Sequence, residues 1–203
     1  MKILLATNNA DKIAEIRNKL DGLNITILTL KDINKIIDVL EDSETLEGNA
    51  LKKAKEIFLA TGIPTIADDT GLFVDALGGE PGVFSSRYAG EDATYDDNCR
   101  KLLKNMEGIP DEKRKAHFKT VICFYINISE QYFFEGLVKG KIINEKRGNE
   151  GFGYDPLFIP DGLNKTYAEM SLVEKNKFSH RAKALGHFCE FLKTVYINKS
   201  DKK

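Results

Sequence analysis

His117-Phe118-Lys119-Thr120-Val121-Ile122-Cys123-Phe124-Tyr125-Ile126-Asn127-Ile128, followed by Ser129-Glu130-Gln131 and then Tyr132 to Val138, is the stretch on which the fold turns. Phe118, Thr120, Ile122, Phe124, Ile126 and Ile128 alternate with their neighbours, so one side of an extended chain carries an apolar face. The polar triplet after it turns the chain back, and the spacing predicts an antiparallel hairpin. The N-terminal third reads differently. Lys2 to Ala6 is a short apolar strand, and Ile13, Ile16 and Leu20 then form a helical stripe ending near Gly22. Ile25 to Leu28 is a second strand. Leu46, Ala50, Leu51, Ala54, Ile57 and Phe58 keep helical spacing from an N-cap at Thr45 to the stop at Gly62 and Pro64. Thr65 to Ala67 and Leu72 to Leu77 read as extended segments on either side of Asp68-Asp69-Thr70-Gly71. Helices are expected over 94–106 and from about His180 to Val195. Strand–helix units joined to a long hairpin predict an α/β fold on a mixed sheet.

The chain has 203 residues, 42% of them hydrophobic and 30% charged, which fits one generous domain or two small lobes with a real core. No repeat, linker or low-complexity segment divides it. Thirty Lys and Arg against 31 Asp and Glu leave a net charge of −1, which removes any bulk electrostatic case for nucleic acid or an anionic membrane. Phosphate chemistry, if present, needs a local cluster. Cys99, Cys123 and Cys189 are odd in number and far apart, so neither a disulfide framework nor a zinc site is expected, and a reducing cytoplasm fits. No stretch has the length of a signal peptide's apolar core or a bilayer span. The polar tail Lys199 to Lys203 is expected to fray, leaving about 2–195 as the ordered core.

Four clusters carry chemistry. Thr7-Asn8-Asn9-Ala10-Asp11-Lys12 joins a strand to a helix, where unpaired backbone N–H groups favour an anion; an Asn-capped helix with a solvated lysine needs the same residues. In Asp68-Asp69 the two side chains point to opposite faces of an extended chain, Asp68 with Ile66, Leu72 and Val74, so only one serves a given site, and Asp69 is the choice. Such a carboxylate can bind Mg²⁺ or take a proton from water, and it also suits a turn. The acidic run Glu41-Asp42-Ser43-Glu44 could add a metal ligand or be a solvated loop. Lys175-Asn176-Lys177-Phe178-Ser179-His180-Arg181 places cations in a helix's first turn, against its dipole, which suggests service to a ligand. His117 and His187 read as a strand and a helix residue without partners. In Gly151-Phe152-Gly153-Tyr154-Asp155-Pro156, glycines display an aromatic ring on which a purine could stack while Asp155 bonds the base or ribose; a turn with a core aromatic has the same composition. Gly136 to Lys141 is one residue short of a Walker A loop, and Pro156 breaks a dinucleotide fingerprint.

Together, these segments closely resemble one family. Thr7-x-Asn9-x-x-Lys12-x-x-Glu15, Asn49-Ala50-x-x-Lys53-Ala54, the block from Ala67 to Val83, Arg87-Tyr88-Ala89-Gly90, Gly151 to Pro156 and Ser179-His180-Arg181-x-x-Ala184-Leu185 carry the likeness, from Lys2 to about Leu192. The family is the inosine triphosphatases, or Ham1-like pyrophosphatases, which act on purine nucleoside triphosphates with non-standard bases. The resemblance implies Mg²⁺-dependent hydrolysis of ITP, dITP and XTP to monophosphate and pyrophosphate, cleansing the nucleotide pool. It implies an elongated two-lobed α/β fold on a long mixed sheet, the active site in the cleft, and a cytoplasmic homodimer.

By position, Asp69 matches the proton acceptor and metal carboxylate. Thr7 to Lys12 match the triphosphate loop, with Lys12 catalytic, Lys53 lies near the phosphates, and Thr70 replaces a more usual Ser. Phe152, Gly153, Tyr154, Asp155, Lys175, His180 and Arg181 match the nucleoside pocket. The family usually reads Thr-Phe-Glu-Glu where this chain has Thr45-Leu46-Glu47-Gly48, and Glu41 is taken as the second metal ligand. The nearest rivals are the Maf-like nucleotide pyrophosphatases, against which the Ser179-His180-Arg181 element argues, and a nucleotide sensor without hydrolysis, against which Asp69 and Lys12 argue.

Overall fold

The structure, a computed structural model, describes residues 1–197; the tail Lys199 to Lys203 lies outside them. Seven strands form one mixed sheet: β1 (Lys2–Leu5), β2 (Thr26–Thr29), β3 (Thr65–Val74), β4 (Pro81–Gly82), β5 (Lys115–Asn127), β6 (Glu130–Ile142) and β7 (Phe158–Pro160). Their order is β2-β1-β3-β5-β6-β7, with β4 paired to β3. β1 is parallel to both β2 and β3, whereas β3–β4 and β6–β7 are antiparallel. The expected mixed sheet is therefore present. The helices are α1 (Ala10–Leu20), α2 (Leu46–Thr61), α3 (Tyr95–Asn105), the short α4 (Leu172–Lys175) and α5 (His180–Leu192), which passes into a π-helical turn over Lys193–Ile197.

The described chain divides into two compact units: one built from residues 1–69, 120–136 and the chain from 181 onward, the other from 70–119 and 137–180. In the first, Ile3, Leu5, Ile16, Ile66, Ile122, Phe124, Leu185 and Phe188 make the core. Phe124 meets Phe188 of α5 edge-on at 5.2 Å, while the neighbouring Tyr125 packs on Phe58 of α2 at the same distance. Helices thus cover both faces of β5 here, and residues 120–125 are buried without alternation. The single apolar face expected from the sequence is overridden, because α5 and α2 each cover one face of the strand and bury side chains of either parity. In the second unit Leu72, Val74, Leu102, Phe118, Leu157, Phe158 and Tyr167 form the core.

Three boundaries differ from expectation in ways that bear on the site. Asp68-Asp69-Thr70-Gly71 does not interrupt the chain; β3 runs unbroken through it. The strand ends at Val74, and Asp75–Leu77 is a 3₁₀ turn closed by Gly78 at φ 64°. The hairpin turns at Ile128-Ser129, so β6 continues to Ile142, four residues beyond the expected end at Val138. Gly140 permits that extension: a Cβ there would overlap the Ile159 carbonyl oxygen and come within 2.7 Å of Phe158 Cζ. The near-Walker segment is thus a strand in close contact with its neighbour.

Candidate active site

The first unit brings together Lys12, Glu15, Glu41, Asn49, Lys53, Asp68, Asp69 and Arg181. The two aspartates of β3 face opposite ways, as pleating requires. Asp68, fully buried, receives Lys12 Nζ at 3.1 Å from α1 and Arg181 Nη2 at 3.1 Å from α5. Arg181 also pairs with the buried Glu15. Burial alone would raise the Asp68 pKa, but Lys12, Arg181 and Lys53 outweigh it and hold the carboxyl well below the usual range. Asp68 is a fixed anion serving cations.

Asp69 faces α2. Its Oδ2 accepts from Asn49 Nδ2 at 3.1 Å, and Lys53 Nζ stands 3.6 Å from Oδ1. The same ammonium bonds Glu41 Oε1 at 3.0 Å and the Asp68 carbonyl at 2.8 Å. Burial raises the Asp69 pKa above its ordinary value against the pull of Lys53 and Lys12, and nearby Glu41 adds to the rise. Adjacent carboxyls thus have opposite shifts, a division that suits one for structure and one for proton traffic. For Lys53, burial lowers the pKa but Asp69, Glu41 and Asp68 prevail, and it is raised. Lys12 goes the other way: burial lowers it more than Asp68 restores.

The N-terminal loop is arranged around Asn9. Its Oδ1 accepts from the backbone of Asp11 at 2.9 Å and Lys12 at 3.1 Å, and its own N–H donates to Thr7 Oγ1 at 3.1 Å. The Asn cap is realised here and engages those two backbone donors, but Lys12 is paired with Asp68 rather than solvated. Asn8, Ala10 and Asp11 are exposed on the same turn.

The second unit holds the other group. Asp155 Oδ2 accepts from Phe152 N at 2.9 Å and pairs with Lys175 Nζ at 2.6 Å, all but fully buried. A Cβ on Gly151 would overlap that oxygen, and Gly151 and Gly153 have φ of 71° and 62°, which explains both glycines. Asp155 thereby shapes the loop that displays Phe152, a duty not foreseen for it. Lys175 stands 4.8 Å above the Phe152 ring, and Tyr95 lies 5.8 Å from it, tilted. Cys99 Sγ donates to Gly153 O at 3.3 Å and Tyr154 Oη to Ser85 O at 2.9 Å, tying the loop to α3 and the turn before it. His180 stacks on Phe118 at 4.5 Å. Thr70 is half-buried on β3.

Several sequence-based expectations change. Arg181 pairs with Asp68 and Glu15, partners that its residue type did not name. His117 stacks on Phe73 at 5.0 Å, nearly parallel, and His187 Nδ1 lies 3.0 Å from Glu135 O, so both have partners. Asn49 and Tyr95 were missed. The Asn49-Ala50 pair did stand out as a motif, but nothing in its residue types says which carboxylate it will bond.

The donor set fits a hard divalent cation. Asp69 and Glu41 converge on one ammonium, and they offer only carboxylate oxygen. Among the described residues no group of three or more His, Cys, Asp or Glu is placed to hold a metal. Mg²⁺ is commonly bound that way, by one or two carboxylates together with substrate phosphates.

The chain is similar to several known proteins along nearly its whole length. A dITP/XTP pyrophosphatase from Caldanaerobacter subterraneus subsp. tengcongensis is 47% identical over 195 residues, covering 95% of this chain and 96% of that one. One from Flavobacterium johnsoniae is 48% identical over 192 residues, with 95% and 98% covered. Among solved structures, a HAM1 protein from Coxiella burnetii superposes with a TM-score of 0.88 at 38% identity, over 96% of this chain and 100% of that one. The Staphylococcus aureus Ham1 protein gives 0.85 at 36%, over 96% and 99%. Residues 3–191 match the Ham1 family profile, and the chain belongs to the Ham1 family.

Proposed function

We propose that this protein hydrolyses purine nucleoside triphosphates bearing a 6-oxo base (ITP, dITP and XTP) to the monophosphate and pyrophosphate, by attack of water on the α-phosphorus. The observation that carries this reading is Asp69: a buried carboxyl with a raised pKa, flanked by Lys53 and bonded by Asn49. A group so placed takes a proton from water near neutral pH more readily than an exposed aspartate. Relatives close to half identical carry the name dITP/XTP pyrophosphatase, which supports the substrate class.

Asp69 and Glu41 would hold Mg²⁺, which when bound neutralises phosphate charge and brings the triphosphate into line for attack. Lys12 and Lys53 offset charge growing toward the pyrophosphate leaving group, with Thr7, Asn9 and Thr70 as polar contacts on the phosphate side. Phe152 offers its face to the purine. Lys175, His180 and the backbone of Gly153 and Tyr154 supply the nucleoside side, where donors aimed at O6 would be left unpaired by an amino group. Arg181 acts one step back, holding Asp68 and through it Lys12. The chain works as a homodimer in the cytoplasm on this reading, and no described helix is long and apolar enough to cross a membrane.

The test is a triphosphate panel of ITP, dITP, XTP, ATP and dTTP with Mg²⁺, scoring pyrophosphate and orthophosphate separately. Pyrophosphate from the 6-oxo purines is expected. Orthophosphate as first product, or preference for ATP or dTTP, rejects the proposal.

A further inference from the structure

Gly48, at the start of α2, lies against a close contact that ties the Glu41 loop to the helix. Gly48 sits in the first turn of α2, and a Cβ there would overlap Ser43 Oγ and stand 2.9 Å from Ser43 Cβ. Ser43 folds over the helix start: its Oγ accepts from Thr45 N at 3.3 Å, and its own N–H donates to Asn49 Oδ1 at 2.9 Å. The other end of that carboxamide donates to Asp69 Oδ2. Asn49 is fully buried and spends both ends, one on the loop that carries Glu41 and one on Asp69. Two residues upstream of Ser43, Glu41 meets Asp69's own partner, Lys53.

We propose that Asn49, seated by the Ser43–Gly48 contact, is the positioning residue that holds Glu41 and Asp69 as a pair for a divalent cation. Two carboxylates drawn together repel, and a neutral amide bonded to both sides keeps the loop from swinging away without adding charge. The lysine does the rest by standing between them. Gly48 is then required for the close approach of Ser43 and not for a turn, since its φ is not left-handed. This inference rests on the reading of Glu41 and Asp69 as metal ligands, and it names what sets their spacing.

Metal affinity is the measurement, made with Mn²⁺ by electron paramagnetic resonance, so that no turnover is needed. Four proteins are compared: wild type, Gly48→Ala, Ser43→Gly/Gly48→Ala and Asn49→Leu. Alanine's helix preference and the Ser43 overlap both act on stability, so a purely structural role predicts that Gly48→Ala shifts the melting temperature and leaves Mn²⁺ binding alone. The proposal predicts the reverse: Gly48→Ala weakens Mn²⁺ binding about tenfold, in the range seen when a metal ligand's support is lost. The double variant removes the overlap while keeping the Ser43 backbone donor, so it is expected to restore affinity to within about threefold of wild type. Asn49→Leu is expected to lose about tenfold or more. Should Asn49→Leu fail to fold, the glycine pair still decides. Wild-type affinity in Gly48→Ala, or no rescue in the double variant, overturns the inference while leaving the metal reading in place. Absence of Mn²⁺ binding by the wild type overturns both.

Discussion

Asp69 and its neighbour Asp68 are chemically identical and about 3.3 Å apart along the strand by ordinary geometry, yet the fold treats them oppositely. Asp68 is wrapped by two cations and held ionised, while Asp69 is buried with a weaker share of positive charge and is pushed up. For a carboxyl with a raised folded pKa, ionisation at neutral pH works against folding. Asp69→Asn removes that charge and keeps the shape, so it is expected to leave the melting temperature unchanged or raised while lowering ITP turnover by about a hundredfold or more. A circular-dichroism melt and a pyrophosphate assay on one preparation check both halves. The sign is reversed at Asp68. Its depressed pKa adds stability that is full above about pH 3.9 and is lost as the pH falls toward the folded value. Asp68→Asn is therefore expected to destabilise at pH 7 by roughly 3 kcal/mol, since it takes the anion from half-buried Lys12 and one of two from buried Arg181, and urea denaturation at pH 7 reads it. An unaltered midpoint would refute the view of Asp68 as a structural anion.

At the scale of elements, the site is a product of what each strand and helix end delivers. β3 sends Asp68 toward α1 and α5 and Asp69 toward α2, so one strand organises two different sets of partners. α2 returns Asn49 and Lys53, one turn apart on the same face, to meet Asp69. In the second unit, β6 and β7 approach so closely at Gly140 that a methyl group has no room. Gly140→Ala is expected to lower stability by roughly 1–3 kcal/mol through displacement of β7, which directly follows the Phe152–Asp155 loop. The urea midpoint measures that cost. A neutral effect would mean that β7 yields freely, and the close pairing would then have no bearing on the loop. The sequence set this segment aside as a phosphate loop and placed it on a strand, as found, but it did not show which neighbour the glycine admits.

For the whole molecule, the near-zero net charge is a balance of opposed local groups. In the first unit's cluster three cations, Lys12, Lys53 and Arg181, meet four carboxylates, Glu15, Glu41, Asp68 and Asp69. The carboxylates exceed the cations by one, a balance that on the proposed reading leaves room for a divalent cation. Removal of divalent ions with EDTA is expected to abolish ITP hydrolysis, and added Mg²⁺ to restore it. Full activity in EDTA would show that the excess carboxylate has another use.

By itself the sequence determined the class of the fold, the α/β alternation, the hairpin and the opposed faces of Asp68 and Asp69. Those follow from periodicity, caps and pleat parity, which are local rules acting over a few residues. Only the tertiary structure decided that Arg181 serves Asp68 and Glu15, that Asp155 shapes the Phe152 loop, and that Asn49 joins Glu41's loop to Asp69. Each of these joins residues brought together by folding, in the case of Arg181 and Asp68 by 113 positions. A buried charge takes whichever partner the packing delivers, and residue type alone does not name that partner.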